Sequence, residues 1–144
     1  MSEQTYLPAG ALPAPEPMND GLDAPFWEGL NQKVLRLQRC LPCDAFQWGP
    51  EWICHRCLGE ELEWAEVEPV GTIYSWERVW HAVTPALAES VPYIAILVEV
   101  NGTGVRMVGN LLGPKDQDVQ IGSQVVGVFE QHDGYSLLQW RAAV

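Results

Sequence analysis

The rhythm of apolar and polar residues changes twice along the chain. Phe26, Trp27 and Leu30 recur three or four apart, the spacing of one helix face. Asp23 precedes this run as a cap, and Pro25 falls in the first turn, where its missing N–H removes no intrahelical bond. So short a helix does not hold by itself. Residues 22–33 are therefore expected to dock, on the body of the protein by default or else on a partner subunit. Residues 34–39 then alternate: Leu35 and Leu37 share one face, Arg36 and Gln38 the other, as in a half-buried strand.

From Val70 onward the pattern is β, with runs at 71–80, 93–100, 104–112, 123–130 and 135–140. Asn101-Gly102, Gly113-Pro114 and Asp133-Gly134 separate them as turn signals. Residues 94–98 are apolar on both faces, which suits a central strand of a closed sheet. Five short strands with such punctuation predict a small barrel of the OB-fold type. Residues 81–92 form the longest connection, with Pro85, Pro92 and a helical turn at 86–89. Connections of this kind often carry function. Residues 60–68 set five glutamates around Leu62, Trp64 and Val67, the pattern of a solvated strand edge. Residues 1–21 hold four prolines and few large apolar residues, and are expected to form a flexible arm.

The four cysteines change the picture most. They form one block, Cys40-x-x-Cys43, ten residues, Cys54-x-x-Cys57. Two such pairs at this distance have the spacing of a tetrahedral four-thiolate site, with structural Zn²⁺ as the expected ion and iron as the alternative. Disulfides are the competing reading. The opening MSEQTYLPAGALPAP has no basic stretch followed by an apolar core, so no signal peptide is expected. A reducing, cytoplasmic setting is the expectation, and there thiols persist. A closed four-thiolate set leaves no position for an activated water. The chain then divides into a flexible arm (1–21), a docking helix (22–33), a rubredoxin-like zinc ribbon (34–66) and an OB-fold domain (67–144). The fold class is mainly β.

Composition narrows the function. Eight Lys and Arg against nineteen Asp and Glu give a net charge of −11. Nucleic-acid binding needs a basic footprint, so an OB-fold module for DNA or RNA is the disfavoured alternative. Half of the basic residues, Lys33, Arg36, Arg39 and Arg56, cluster around the cysteines. Arg39 and Arg56 either neutralise the thiolate centre or contact a phosphate of a nucleotide-bearing acyl carrier. Seven tryptophans are many for 144 residues. Trp48 and Trp52 flank Gly49-Pro50 between the cysteine pairs, and either pad the ribbon against the next domain or face a partner. The histidines are scattered. His81, opening the long connection, is the one candidate for chemistry, and an independent acyl-CoA hydrolase is the third reading. No nucleophile elbow, phosphate loop or dinucleotide fingerprint is present.

The order of parts resembles a known family. Pro25-Phe26-Trp27, Gln38-Arg39-Cys40, the cysteine pairs, Gly71-Thr72-Ile73-Tyr74-Ser75-Trp76, Pro92-Tyr93, Gly109-Asn110-Leu111 and Ile121-Gly122 occur in the order seen in the acyl-CoA-associated zinc-ribbon/OB-fold family, domain-of-unknown-function family thirty-five. The resemblance runs from about Ala24 to Arg141. It implies a small, non-catalytic subunit of a thiolase-like or lipid-transfer-type acyl-CoA enzyme, which stabilises that partner and shapes acyl or CoA access. Phe26, Trp27, Trp48 and Trp52 are then the expected partner contacts, and Arg39, Arg56 and His81 the expected acyl- or CoA-proximal residues. Family members often carry Pro-Pro-Arg before the second cysteine pair. Here Gly49-Pro50-Glu51 replaces it, with a glutamate at the arginine's place.

Overall fold

The computed structural model describes residues 11–143. The first half of the expected arm lies outside them. Residues 12–18 have no regular secondary structure. Helix α1 (Ala24–Asn31) follows. A three-stranded antiparallel sheet, in the order β2-β1-β3, is built from β1 (Leu35–Cys40), β2 (Phe46–Gln47) and β3 (Leu62–Val67). The glutamate-rich β3 is an edge strand, as its composition predicts.

Asp23 corrects one expectation. It sits at the N-cap position, but its carboxylate makes no cap bond to the first turn. It accepts instead from the Met18 N–H (2.9 Å) and from the indole Nε1 of Trp27 (2.9 Å), tying the preceding segment to the helix. At the other end of α1, Gly29 is required by space. Its carbonyl receives Val34 N at 2.8 Å, and a Cβ at 29 would fall 2.8 Å from the Val34 carbonyl oxygen.

The second sheet has five strands in the order β6-β5-β4-β7-β8. They are β4 (Val70–Val79), β5 (Tyr93–Val100), β6 (Arg106–Asn110), β7 (Gln124–His132) and β8 (Tyr135–Ala142). Gly102 and Gly134 take positive φ in the predicted turns (77° and 85°), a conformation that glycine adopts without strain. A bulge at Tyr74 shifts the β4–β5 register. Such an extra residue bends a strand and helps a sheet curl. The sheet closes on itself where Leu111 pairs in parallel with Trp140 and the Leu112 N–H meets the Trp140 carbonyl at 2.7 Å. This is the five-stranded barrel expected from the turn spacing.

β5 shows why the barrel forms. Its burial alternates strictly, with Ile94, Ile96, Val98 and Val100 inside. Those side chains meet Met107, Leu111, Val125 and Trp140. Phe26 and Leu30 of α1 and Leu35 and Leu37 of β1 belong to the same core. Helix and ribbon base are thus continuous with the barrel: α1 docks on the body of its own chain. The 81–92 connection is pinned by the buried Leu87, within a 3₁₀ turn at Pro85–Leu87, and by Lys115 Nζ on the Ser90 carbonyl at 2.9 Å.

Candidate metal centre and barrel seam

The two Cys-x-x-Cys segments fold as near-copies. The Asp44 N–H returns to the Cys40 carbonyl at 2.8 Å, and the Leu58 N–H to the Cys54 carbonyl at 3.0 Å. The Cys40 N–H donates to Ala45 and the Cys54 N–H to Gly59, each at 2.8 Å. Asp44 and Leu58, directly after each pair, both take positive φ (67° and 64°). Non-glycine residues enter that region reluctantly, so each tight turn is held by its surroundings.

These turns bring the four sulfurs together. All four Sγ atoms lie within 4.8 Å of one another. Cys40 and Cys57 are 3.5 Å apart, and Cys43 and Cys54 3.6 Å. A disulfide holds its sulfurs at about 2.05 Å, so none of these cysteines is cross-linked. Four thiolates at about 2.3 Å from one ion stand roughly 3.8 Å apart. The set fits one tetrahedral ion.

Backbone donors prepare the site. Arg56 N and Cys57 N point at Cys54 Sγ (3.3 and 3.5 Å), and Gly59 N at Cys57 Sγ (3.4 Å). The Cys57 and Arg56 N–H groups bring the Cys54 thiol down to about 6, against the opposing effect of burial. Cys40 moves the other way. The Cys43 N–H pulls it down, but burial and the neighbouring thiols prevail and push it up to about 12. Cys43 is also raised: the Ala45 N–H lowers it, but burial and the neighbouring Cys54 and Cys57 thiols together prevail. One sulfur is thus readily a thiolate while two resist ionising together, as expected of like charges gathered in one place.

Around this centre a side-chain clamp was not legible in the alternation of residues 34–39. Gln38, expected on the solvent side, is buried (3 % exposed). Its oxygen accepts from Gln47 Nε2 (2.9 Å) and from the Glu51 N–H (3.0 Å), and its own amide donates to the Glu51 carbonyl (3.0 Å). Gln47 continues the clamp: Nε2 reaches the Ile53 carbonyl and Oε1 accepts from the His55 N–H at 2.9 Å. Two amides therefore fix the main chain that carries Cys54. A glutamine at an outward-reading position becomes buried because a polar loop, and not water, covers that face.

The expected site residues separate. Phe26 is buried (3 % exposed) and packs on Trp48 with ring centroids 4.2 Å apart. Trp48 is half-buried against the core, so it pads the ribbon against helix and barrel. Trp27 is half-buried beside Phe26. Trp52 alone of the four projects, 61 % exposed, with its Nε1 on Asp20 at 3.2 Å. Arg39 is engaged by Asp44 and by Glu63 across the β1–β3 pair. Arg56 and His81 are exposed. Among the described residues no hydrogen bond or ion pair joins His81 to either arginine.

The barrel wall next to α1 holds a second feature. The ends of β6 and β8 meet at the Leu111–Trp140 bridge; beside it they are joined through Gln139, whose Oε1 accepts from the Asn110 N–H at 2.8 Å. A groove of about 310 Å³ lies along this seam, beneath Phe26, Trp27 and Trp48. Gly109 explains part of its shape: a Cβ there would fall 2.8 and 2.9 Å from Trp140 Cδ1 and Nε1, so the indole takes the room that glycine leaves.

Comparison with known proteins agrees with this architecture. Residues 64–130 match the family described as ChsH2, C-terminal OB-fold domain. A probable enoyl-CoA hydratase alpha subunit of Thermomonospora curvata is 34 % identical over 127 residues, 87 % of this chain and 38 % of that protein. The chain thus spans well under half of that relative. A DUF35 domain-containing scaffold protein of Methanocaldococcus jannaschii is 29 % identical over 73 % of this chain and 74 % of its own. Among solved structures, the Ltp2–ChsH2(DUF35) aldolase superposes with a TM-score of 0.76 and 29 % identity, covering 92 % of this chain and 100 % of that one. A DUF35 protein of Sulfolobus solfataricus shares the fold at a TM-score of 0.61 and 14 % identity. Helix, four-cysteine ribbon and barrel, in this order and with these likenesses, support a DUF35 OB-fold family.

Proposed function

We propose that this chain is a non-catalytic accessory subunit of a thiolase-fold acyl-CoA enzyme in lipid, steroid or polyketide metabolism. It stabilises the partner and shapes acyl or CoA access. The observation that carries this reading is the end-to-end likeness to a chain of the Ltp2–ChsH2(DUF35) aldolase. The chemistry of the ribbon supports it. Four thiolates around one ion leave no coordination site for a water or substrate, and that ion, which we assign as Zn²⁺, braces the fold and does no chemistry. Cys40, Cys43, Cys54 and Cys57 would hold it. The exposed Trp52 is the residue of the ribbon best placed to grip a partner, since a large, half-free aromatic is typical of an interface anchor. Arg56 and His81 remain the residues assigned to the acyl or CoA side. No helix among the described residues is long and apolar enough to cross a membrane.

Co-expression with the thiolase-like protein encoded nearest to this chain tests the reading. A stable complex that Trp52→Ala weakens, and a partner that loses solubility or turnover alone, is the expected result. A partner equally soluble and active alone, with no complex formed, sinks it.

A further inference from the structure

A second groove, of about 230 Å³, lies where residues 21–25, the loop before Cys54 and strand β3 meet. Trp52, Trp64, Pro25 and Leu62 give it apolar walls. Trp64 packs on the core, and the exposed Trp52 is held by a residue 32 positions away. That residue is Asp20, which uses both carboxylate oxygens. Oδ1 accepts from the Leu22 N–H at 3.1 Å, and Oδ2 from Trp52 Nε1 at 3.2 Å. The aromatic wall is thus set before anything binds. The charge of the groove is of one sign: Glu51 and Glu60 line it, both exposed, and no Lys, Arg or His does. Among the described residues neither carboxylate has a hydrogen bond or an ion pair. The buried Gln38 amide oxygen is already taken, by Gln47 Nε2 and the Glu51 N–H.

We propose that this groove receives an arginine side chain of a partner protein. A guanidinium is planar, lies against indole and donates to more than one carboxylate at once. An apolar anchor would strip water from Glu51 and Glu60 and give their charges nothing in return. An anion, a phosphate included, would meet two like charges. Size points to a single side chain, since about 230 Å³ is below the ~300–1,000 Å³ of small-molecule pockets. The net charge of −11 favours the approach of a basic surface. The inference names what a partner presents beside Trp52, and rests on the accessory-subunit reading only for there being such a partner.

The test begins with the full, zinc-loaded chain alone. Its probes are acetyl-arginine N-methylamide and the citrulline, lysine and leucine counterparts; citrulline keeps the shape of arginine and lacks its charge. Titrations are followed on the indole N–H resonance of Trp52, assigned by its loss in Trp52→Phe. The arginine probe is expected to move that resonance saturably and to bind about fivefold tighter than the citrulline probe, the combined weight of a cation–π contact and exposed ion pairs. In Glu51→Gln/Glu60→Gln, checked for unchanged zinc content and amide spectrum, the preference should fall to about twofold or less. A resonance that ignores arginine, a preference that survives the double variant, or tighter binding of lysine or leucine overturns the proposal. The second arm uses the co-expressed complex. Glu51→Lys/Glu60→Lys should weaken it about tenfold, because like charges then face each other. A complex indifferent to that reversal also overturns the proposal, yet leaves the accessory-subunit reading intact. Absence of any complex sinks that reading instead, and the titrations alone then decide the groove.

Discussion

The metal end of the ribbon and the barrel are made stable by opposite means. In the barrel, Ile94, Val98, Val100 and Trp140 are fully buried, and burial of apolar surface suffices as the driving force. At the metal end the large apolar residues point outward: Leu41 (52 %), Ile53 (43 %) and Leu58 (68 %) join Trp52 on the surface. What lies inside is sulfur and amide, namely Cys40, Cys54, Gln38 and Gln47. Two turns there hold non-glycine residues at positive φ. A region without an apolar core has to be closed by polar bonds and an ion. Yet both regions belong to one continuous body, because Leu35 and Leu37 at the ribbon base lie in the barrel core.

Metal removal should separate the two most sharply. Structural zinc contributes an apparent ~10–16 kcal/mol at neutral pH. Chelation, or Cys40→Ser, should collapse amide protection in residues 40–59 while the β4–β8 signals persist. Simultaneous loss of both would show one cooperative unit and end the comparison. Ile96→Ala is the reciprocal probe. It opens a cavity around a fully enclosed side chain and should destabilise the barrel by about 2–5 kcal/mol in denaturant melts. The zinc content per folded chain should not change. A fall in zinc retention under native conditions would show that the barrel core transmits to the ribbon.

Gln38→Leu acts more locally. It strips the Glu51 N–H and carbonyl of their side-chain partner and leaves Gln47 Nε2 only the Ile53 carbonyl, at about 1–3 kcal/mol. Hydrogen exchange should quicken at 47–55 and remain slow in β5. Uniform exchange would mean that the clamp serves the whole body. The smallest effect is in proton counting. With its pKa lowered to about 6, Cys54 is a thiolate at neutral pH, whereas Cys40, raised to about 12, still carries its proton. Zinc uptake must displace whatever protons the thiols hold. Protons released per ion should therefore rise by about one as pH falls through 6, and zinc affinity should fall in the same direction. Calorimetry in buffers of different ionisation enthalpy reads this directly. For the metal-free fold the sign agrees: the lowered Cys54 pKa favours the folded form at high pH, and that contribution is lost as pH falls toward 6.

What could be read from the sequence follows this division. The strands were legible wherever burial obeys the two-residue period, as in β5, and the glycine turns marked their ends. The cysteine spacing gave the metal centre because ligand geometry is local. The apolar rule failed where neighbours distant in sequence decide burial. Gln38 turned inward because the loop at 47–53 folds over it. Phe26, which alternation along a helix cannot aim, packs on Trp48 within the chain. The two-residue strand β2 was too short to show a period. Trp140 carried no signal that its buried indole N–H meets no acceptor among the described residues, since that depends on which acceptor stands across the barrel. Asp23 matched a capping pattern and yet bonds elsewhere, drawn by the indole of Trp27 one turn along.

One consequence of the amide clamp concerns position 51. Gln38 grips residue 51 only by its N–H and carbonyl, atoms that every residue but proline supplies. The side chain there is exposed and borders a groove with Trp52 and Trp64. Glutamate in place of the arginine that the family resemblance implies therefore inverts a charge without touching the scaffold. A side chain so placed can change its charge while the clamp beneath it, which holds only main-chain atoms of residue 51, stays as it is.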